Sequence, residues 1–333
     1  MPYGTVNADS LVSSDGGVIS PNINSLRNRI INGAMVIDQR NAGASVATTT
    51  TGTPTYTLDR FAYQSSQASK YTVQQNAGSV TPPAGFKNYL GVTSTSAYSV
   101  AAGDYFLLRQ PIEGFNTADL GFGAAGASTV TISFWVRSSL TGTFGGSLEN
   151  GAGDRSYPFS YTISAANTWE QKSITIAGDT SGTWVGATNA VGMLVVFSLG
   201  MGSTYSGTAG AWATGNFLAP TGATSVVGTN GATFYITGVQ LEKGSVATSF
   251  DYRPYGTELI LCERYYDTGN NTLEIITPAG PFTMRFATIM RATPTLSTSQ
   301  NSGSIFDVSV QKGSFRAQST AIAVLNYTAS AEL

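Results

Sequence analysis

The sequence predicts an all-β protein: a jelly-roll β-sandwich followed by a small C-terminal β domain, with an extended N-terminal arm. Three observations carry that prediction. Short runs alternate apolar and polar residues, the period-two signature of a strand with one buried face. Gly-rich connections separate these runs, and almost none has helical period. Charged residues make up only 11% of the chain. Ser, Thr, Gly, Ala and Asn must therefore fill the surface, and Thr suits exposed strand positions.

Three segments follow: residues 1–32 as an attachment arm, 33–252 as the sandwich, and 253–333 as a small β domain that begins with a short helix. The arm holds scattered apolar residues, among them Leu11, Val12, Ile19 and Ile23, separated by polar residues and Gly16–Gly17. A segment so sparse in apolar residues needs another surface to order it.

In the sandwich, Tyr56–Tyr63, Tyr71–Gln75, Tyr89–Thr93 and Tyr105–Gln110 read as strands. Thr129–Arg137 is the clearest, with Val130, Ile132, Phe134 and Val136 on one face. Trp135 and Arg137 lie on the other, where they are placed for a cation–π pair. Gly142–Gly153 reads as a glycine-rich hairpin region. Within it, Asn150–Asp154 has too few carboxylates for a calcium loop and reads as a plain turn. Tyr157–Ile163 contains Pro158, which suits an edge strand. Thr168–Ile176 alternates again, and Ala190–Leu199 is nearly all apolar, as in a strand buried on both faces. Gly200–Gly231 reads as a long surface excursion with Trp212 and Phe217 at its tip, before the closing strand Thr233–Leu241.

Beyond Pro254, Thr257 is placed to cap a helix whose apolar side is Leu259, Ile260 and Cys262. Leu273–Ile276, Gly280–Phe286, Ile305–Val310, Ser314–Ala317 and Ala321–Tyr327 read as strands. A domain of this size with few large apolar residues is marginal alone, and oligomerisation would cover its edges. Tyr252, Tyr255, Tyr265 and Tyr266 are read as packing between domains or subunits.

The composition excludes several chemistries. The chain has no histidine, which removes Ser-His-Asp and Cys-His catalysis and histidine-ligated metal. Cys262 is the single cysteine and reads as a buried small hydrophobe. Net charge is −2, which gives no electrostatic footprint for nucleic acid. The longest apolar run, Ala190–Leu199, is too short to span a bilayer, so no membrane partner is expected. The first residues lack a basic n-region and an apolar core, so synthesis is expected in a cytoplasm. No metal and no cofactor is expected. Asp104 with Glu113, or Asp59 with Asp251, are the available carboxylate pairs, but no spacing forces either pair into one cleft. The protein is therefore read as not an enzyme. Trp184, Tyr205 and Trp212 sit in Gly-rich contexts and are the candidates for stacking on a sugar, while packing at a core or subunit interface fits the tryptophans as well. Trp135 and Trp169 read as packing residues.

Several runs together resemble one protein group. They are Asn28–Met35 with Asp38-Gln39-Arg40, Tyr56–Phe61, Val239–Glu242, Ala247–Phe250, Cys262–Tyr266, Met290–Thr295 and Ala329–Leu333. The chain resembles bacteriophage and prophage virion surface proteins of tail-fibre type, with a sandwich similar to carbohydrate-binding modules. The resemblance runs from about residue 28 to the end. It implies a structural, host-recognising protein of the virion, on the tail rather than the head, made in the host cytoplasm. It also implies a homotrimer, attachment to other virion proteins through the arm, and host surface polysaccharide as a partner. A capsid decoration (cement) protein is the alternative role, and a host-glycan depolymerase the third. No catalytic motif is carried over.

Overall fold

Alternation along the clearest run is realised as a strand whose Val130, Ile132, Phe134 and Val136 are buried between two sheets. The computed structural model describes residues 11–12, 18–19, 27–274, 281–300, 305–319 and 324–333. The main sandwich strands are β1 (Thr55–Leu58), β2 (Phe61–Ser65), β3 (Tyr71–Gln75), β4 (Leu90–Ser94), β5 (Tyr105–Glu113) and β6 (Val130–Ser138). They continue with β7 (Gly142–Asn150), β8 (Arg155–Ile163), β9 (Glu170–Ile176), β10 (Val191–Met201) and β11 (Thr233–Lys243). One sheet has seven strands, in the order Ala213–Thr214, β8, β7, β10, β5, β2, β1. The other has six, in the order β9, β6, β11, β4, β3, Val46–Ala47. Neighbours within both sheets are antiparallel, and the core between them includes Phe106, Phe134, Phe144, Phe197 and Phe234.

The C-terminal part begins with α1 (Tyr255–Glu263) and continues through β12 (Tyr266–Glu274), β13 (Pro281–Arg285), β14 (Thr295–Gln300), β15 (Ile305–Gln311), β16 (Ser314–Ser319) and β17 (Val324–Ser330). These strands make two three-stranded sheets, β12-β17-β14 and β13-β16-β15. Phe286, Met290, Phe315, Leu325 and Tyr327 form their shared core. Among the described residues no helix is long and apolar enough to cross a membrane.

The structure departs from the sequence reading at several points, each with a local cause. Tyr56–Tyr63 is a hairpin and not one strand. It turns at Asp59–Arg60, where Arg60 has a φ of 68°, a left-handed conformation uncommon for a side-chain-bearing residue. The turn is held because the buried Arg60 guanidinium donates to the Pro111 carbonyl (2.6 Å) and lies 3.5 Å from the Tyr265 ring centroid. Gly142–Gly153, read as a hairpin region, is the first strand of the β7–β8 hairpin and part of its turn, and β7 lies in the interior of the sheet. A Cβ on Gly146 would stand 1.9 Å from the Val196 carbonyl oxygen, so its glycine serves close strand packing. The chain turns after β7, at residues 151–154, where the Asn150 side chain bonds Asp154.

The helix starts at Tyr255, directly after Pro254, so Thr257 lies inside it and not at its cap, and Ile260 points to solvent at 55% exposure; Glu258 and Cys262 are its buried residues. Arg137 lies over the Tyr235 ring (5.5 Å) and not over Trp135. The polar strand Thr295–Gln300 had no apolar alternation to reveal it, because it forms by backbone pairing at a sheet edge.

The packed body also begins before residue 33. Asn28, Ile30, Ile31 and Asn32 are buried. Asn28 acts as a surrogate strand residue, its amide donating to the Val239 carbonyl and its oxygen accepting from the Leu241 amide. Gln110 clasps Ile31 through both backbone groups, at 2.8 and 2.9 Å. In the arm itself, Leu11–Val12 pairs antiparallel with Val18–Ile19. Ile23 and the remaining residues before Arg27 lie outside the described residues.

Candidate functional site

The pleat of the seven-stranded sheet sorts its side chains into two sets. Phe106 and Leu108 of β5, Leu148 of β7, and Val195 and Phe197 of β10 face the core. Tyr105, Leu107, Leu194 and Val196 form a separate cluster with Leu218 and Tyr205 on the opposite, outer face. Arg109 and Glu149 belong to this outer set by the same alternation. The segment after β10, read as a surface excursion, folds back over this face. Ser206–Gly207 pairs with Ala219–Pro220, and Ala213–Thr214 adds to the edge of β8. Between sheet and excursion lies a cavity of about 230 Å³ lined by Gln64, Tyr105, Arg109, Glu149, Leu194, Tyr205, Asn216 and Leu218, with the turn at Gly151–Gly153 at its rim.

The register fixes the cavity's charges. Arg109 stands opposite Ala62 on one side and Val196 on the other, and Glu149 stands opposite Leu194. Arg109 donates to the Gln64 side-chain oxygen (2.7 Å), and Gln64 donates in turn to the Gly52 carbonyl (2.7 Å). The Arg109 Nε has no partner among the described residues. Glu149 is 4% exposed, and its Oε1 has no hydrogen-bond partner among the described residues. The two groups line one cavity without forming an ion pair within 4.0 Å, although the Arg109 charge acts favourably on the Glu149 carboxylate. Desolvation outweighs that attraction and pushes the Glu149 carboxyl up to about 8. At neutral pH the cavity therefore presents a carboxylic acid and a guanidinium. An unpaired buried polar group is costly, so these two are poised for polar groups of a ligand.

Of the three aromatic residues read as ligand candidates, Tyr205 lines this cavity, set edge-on to Tyr105 at 5.3 Å. Trp184 and Trp212 lie elsewhere. They pack edge-on with each other (5.5 Å) and with Phe122 (4.8 and 5.7 Å), and Tyr157 joins at 5.3 Å from Trp212. Their indole N–H groups are used within the protein: Trp212 donates to the Ala177 carbonyl (2.6 Å) and Trp184 to Asp179 (3.3 Å). Edge-on rings with internal hydrogen bonds fasten the excursion to the sandwich edge and offer no flat platform.

The four tyrosines split in the same way. Tyr265 is buried with Ile31, Ile37 and Cys262, and Tyr266 lies under Arg40 at 3.7 Å. Both stand at the junction of the sandwich and the C-terminal part. Tyr252 is 55% exposed, its hydroxyl donating to the Gly85 carbonyl, and Tyr255 is 64% exposed. The carboxylate pairs remain separate in their bonding. Asp104 accepts from Ser66 and Tyr98, whereas Glu113 accepts a fork from Arg264. Asp59 holds Gln39, whereas Asp251 accepts from the Asn28 amide.

Gln64, Arg109, Glu149 and Asn216 were missed by the sequence reading. The available signal was a charge inside an otherwise apolar strand: Arg109 in Tyr105–Gln110 and Glu149 after Leu148. Their convergence depends on strand order, which places β7 and β5 on either side of β10.

No family model matches the chain, and no curated protein matches it. Among solved structures, the enzymatically active domain of bacteriophage CBA120 tailspike protein 4 is similar over 66% of this chain, with 11% identity and a TM-score of 0.36. The chain spans only 22% of that tailspike. The carbohydrate-binding module CBM4 is similar over 64% of this chain and 98% of its own, with 15% identity and a TM-score of 0.30. A family 11 carbohydrate-binding module from Clostridium thermocellum, in complex with a β-1,3-1,4-mixed-linked tetrasaccharide, gives 57% and 91%, 11% identity and a TM-score of 0.28. Likenesses this distant carry no argument about function, which rests on the site itself.

Proposed function

We propose that this protein is a non-enzymatic glycan-recognition protein of a phage virion, of tail-fibre type, that holds a sugar in the outer-face cavity. The observation that carries the reading is the unpaired Arg109–Glu149 couple beneath Tyr205 in a polar hollow. Such a hollow combines a strong donor and a buried carboxyl within an aromatic-walled cavity, as recognition of a hydroxyl-rich ligand requires. Glu149 is the single carboxylate in the cavity lining, whereas glycoside hydrolysis ordinarily uses a flanking pair. The virion assignment, the trimer and attachment through the arm rest on the sequence resemblance to phage surface proteins.

The test is equilibrium binding of purified protein to host surface polysaccharide, with the polysaccharide's chain length measured before and after. Saturable binding without shortening is expected, and Arg109→Ala should weaken it about 10–100-fold through loss of a charge-assisted hydrogen bond. Absence of binding at saturating concentration would overturn the recognition role, and a fall in chain length would overturn the non-enzymatic one. Labelling the protein in intact particles is expected to mark the tail; marking of the head alone would replace the fibre role with that of a capsid decoration protein.

A further inference from the structure

The groups left free in the cavity set the kind of sugar it takes. Arg109 makes no ion pair among the described residues, and its one side-chain bond goes to the neutral Gln64. Glu149 is more than nine-tenths buried and receives no hydrogen bond from the described residues. Burial pushes this carboxyl up to about 8, so it keeps its proton at neutral pH. The surrounding elements add no charge that changes this. Asp154, in the turn after β7, is bonded to the Asn150 amide (2.6 Å). Arg155 of β8 is forked onto Asp179 at 2.7 Å. Tyr105 and Tyr205 line the cavity, Tyr56 lies near Arg109 on β1, and residues 202–218 of the excursion contain no charged residue. The cavity is thus rich in donors and carries one net positive charge.

We propose that the cavity selects an acidic sugar, whose carboxylate is seated against the Arg109 guanidinium beside the buried carboxyl of Glu149. The inference rests on the glycan-binding reading and goes beyond it in naming the class of sugar. A carboxylate accepts a charge-assisted hydrogen bond from the Arg109 guanidinium, which a neutral hydroxyl cannot match in strength. The rest of the surface is charge-poor, so the preference is set locally and not by long-range attraction. Ionisation of Glu149 would place a second negative charge against the ligand. Binding should therefore weaken as pH rises through about 8.

The test compares a glucuronate-containing oligosaccharide with the same oligosaccharide after its carboxyl groups are reduced to alcohols. The acidic form is expected to bind at least about tenfold more tightly at neutral pH. Its affinity should fall by a further factor of about ten between about pH 7 and about pH 9. Glu149→Gln keeps a side-chain donor that cannot ionise. That variant should bind the acidic form at neutral pH and lose most of the alkaline weakening. Equal or tighter binding of the reduced form overturns the acidic-sugar inference alone. Affinity that stays flat or rises towards alkaline pH in the wild-type protein overturns the role of Glu149. If neither form binds, the glycan reading and this inference fall together. Circular dichroism of each variant confirms that a lost signal reflects the site and not the fold.

Discussion

At the junction between the sandwich and the C-terminal part, charges meet counter-charges; on the outer face of the seven-stranded sheet, Arg109 and Glu149 face one cavity and do not pair. At the junction Arg60 and Arg40 share Glu332, Arg264 forks onto Glu113, and Arg253 meets Glu258. Tyr265 and Tyr266 lie flat against two of those guanidinium groups. Arg291 completes the clasp by donating to the Ala331 and Glu332 carbonyls and to the Asn189 carbonyl. A buried pair is stable only when both partners and their remaining hydrogen bonds are satisfied. At the junction Arg40, Arg60, Arg253 and Arg264 each have a carboxylate partner, although the Nε of Arg40, Arg60 and Arg253 makes no hydrogen bond among the described residues, and the junction so reads as a clamp. The cavity supplies no such partner, and its unmet groups are the ones a ligand can satisfy. The same residue types thus do opposite work, and the difference lies in whether the fold supplies the partner.

The contrast can be broken most directly at Glu332. Glu332→Ala leaves the Arg60 guanidinium buried without its carboxylate, and urea denaturation is expected to show a loss of about 3–5 kcal/mol. A loss below about 1 kcal/mol would mean that the junction charges are solvated and that the clamp is not electrostatic.

The effect at Glu149 should be smaller and opposite in sign. Its folded pKa is raised, to about 8 from the ordinary glutamate value of 4.5, so over that interval the folded state holds a proton that the unfolded chain has released. Its contribution therefore makes stability fall as pH rises between those two values, and the fall ends above the folded pKa. Glu149→Gln removes that contribution, so the variant should gain on the wild type by on the order of a few kcal/mol at about pH 9 and little at about pH 5. Asp59, also pushed up by burial, to about 6, is common to both proteins and cancels in the comparison. Denaturation curves at the two pH values decide the matter; a constant difference would show that Glu149 is charged throughout.

The smallest effect is expected on the surface. Asp119, 48% exposed in its side chain, pairs with Arg29 at 2.8 Å. Asp119→Ala should cost less than about 1 kcal/mol and should shrink further at high salt. A larger, salt-insensitive loss would show that exposed pairs also act as clamps here.

The β-rich character was legible because alternation is a local property. Val130–Ser138 and Thr233–Lys243 announce themselves within nine and eleven residues. The nearly continuous apolar run within β10 likewise foretold burial on both faces, with the core on one side and the folded-back excursion on the other. The cavity was far less legible. Tyr205 was read from its loop context, but the same reasoning put forward Trp184 and Trp212, whose rings close on Phe122 and Tyr157. A glycine-rich setting shows that an aromatic residue lies in a connection and does not show whether that connection lies open or folds back. Arg109 and Glu149 are forty residues apart in the chain, and each alone is one charge in a strand.

By itself, then, the sequence determined the amphipathic strands, their inward faces, the absence of histidine chemistry and the low surface charge, because each depends on residue type and short-range period. Only the tertiary structure decided which buried charges are paired. Register and strand order bring Glu149 and Arg109 to the same hollow while carrying Glu332 back across the chain to Arg60. A charge's environment is set by neighbours distant in sequence, and desolvation and pairing act through distance in space.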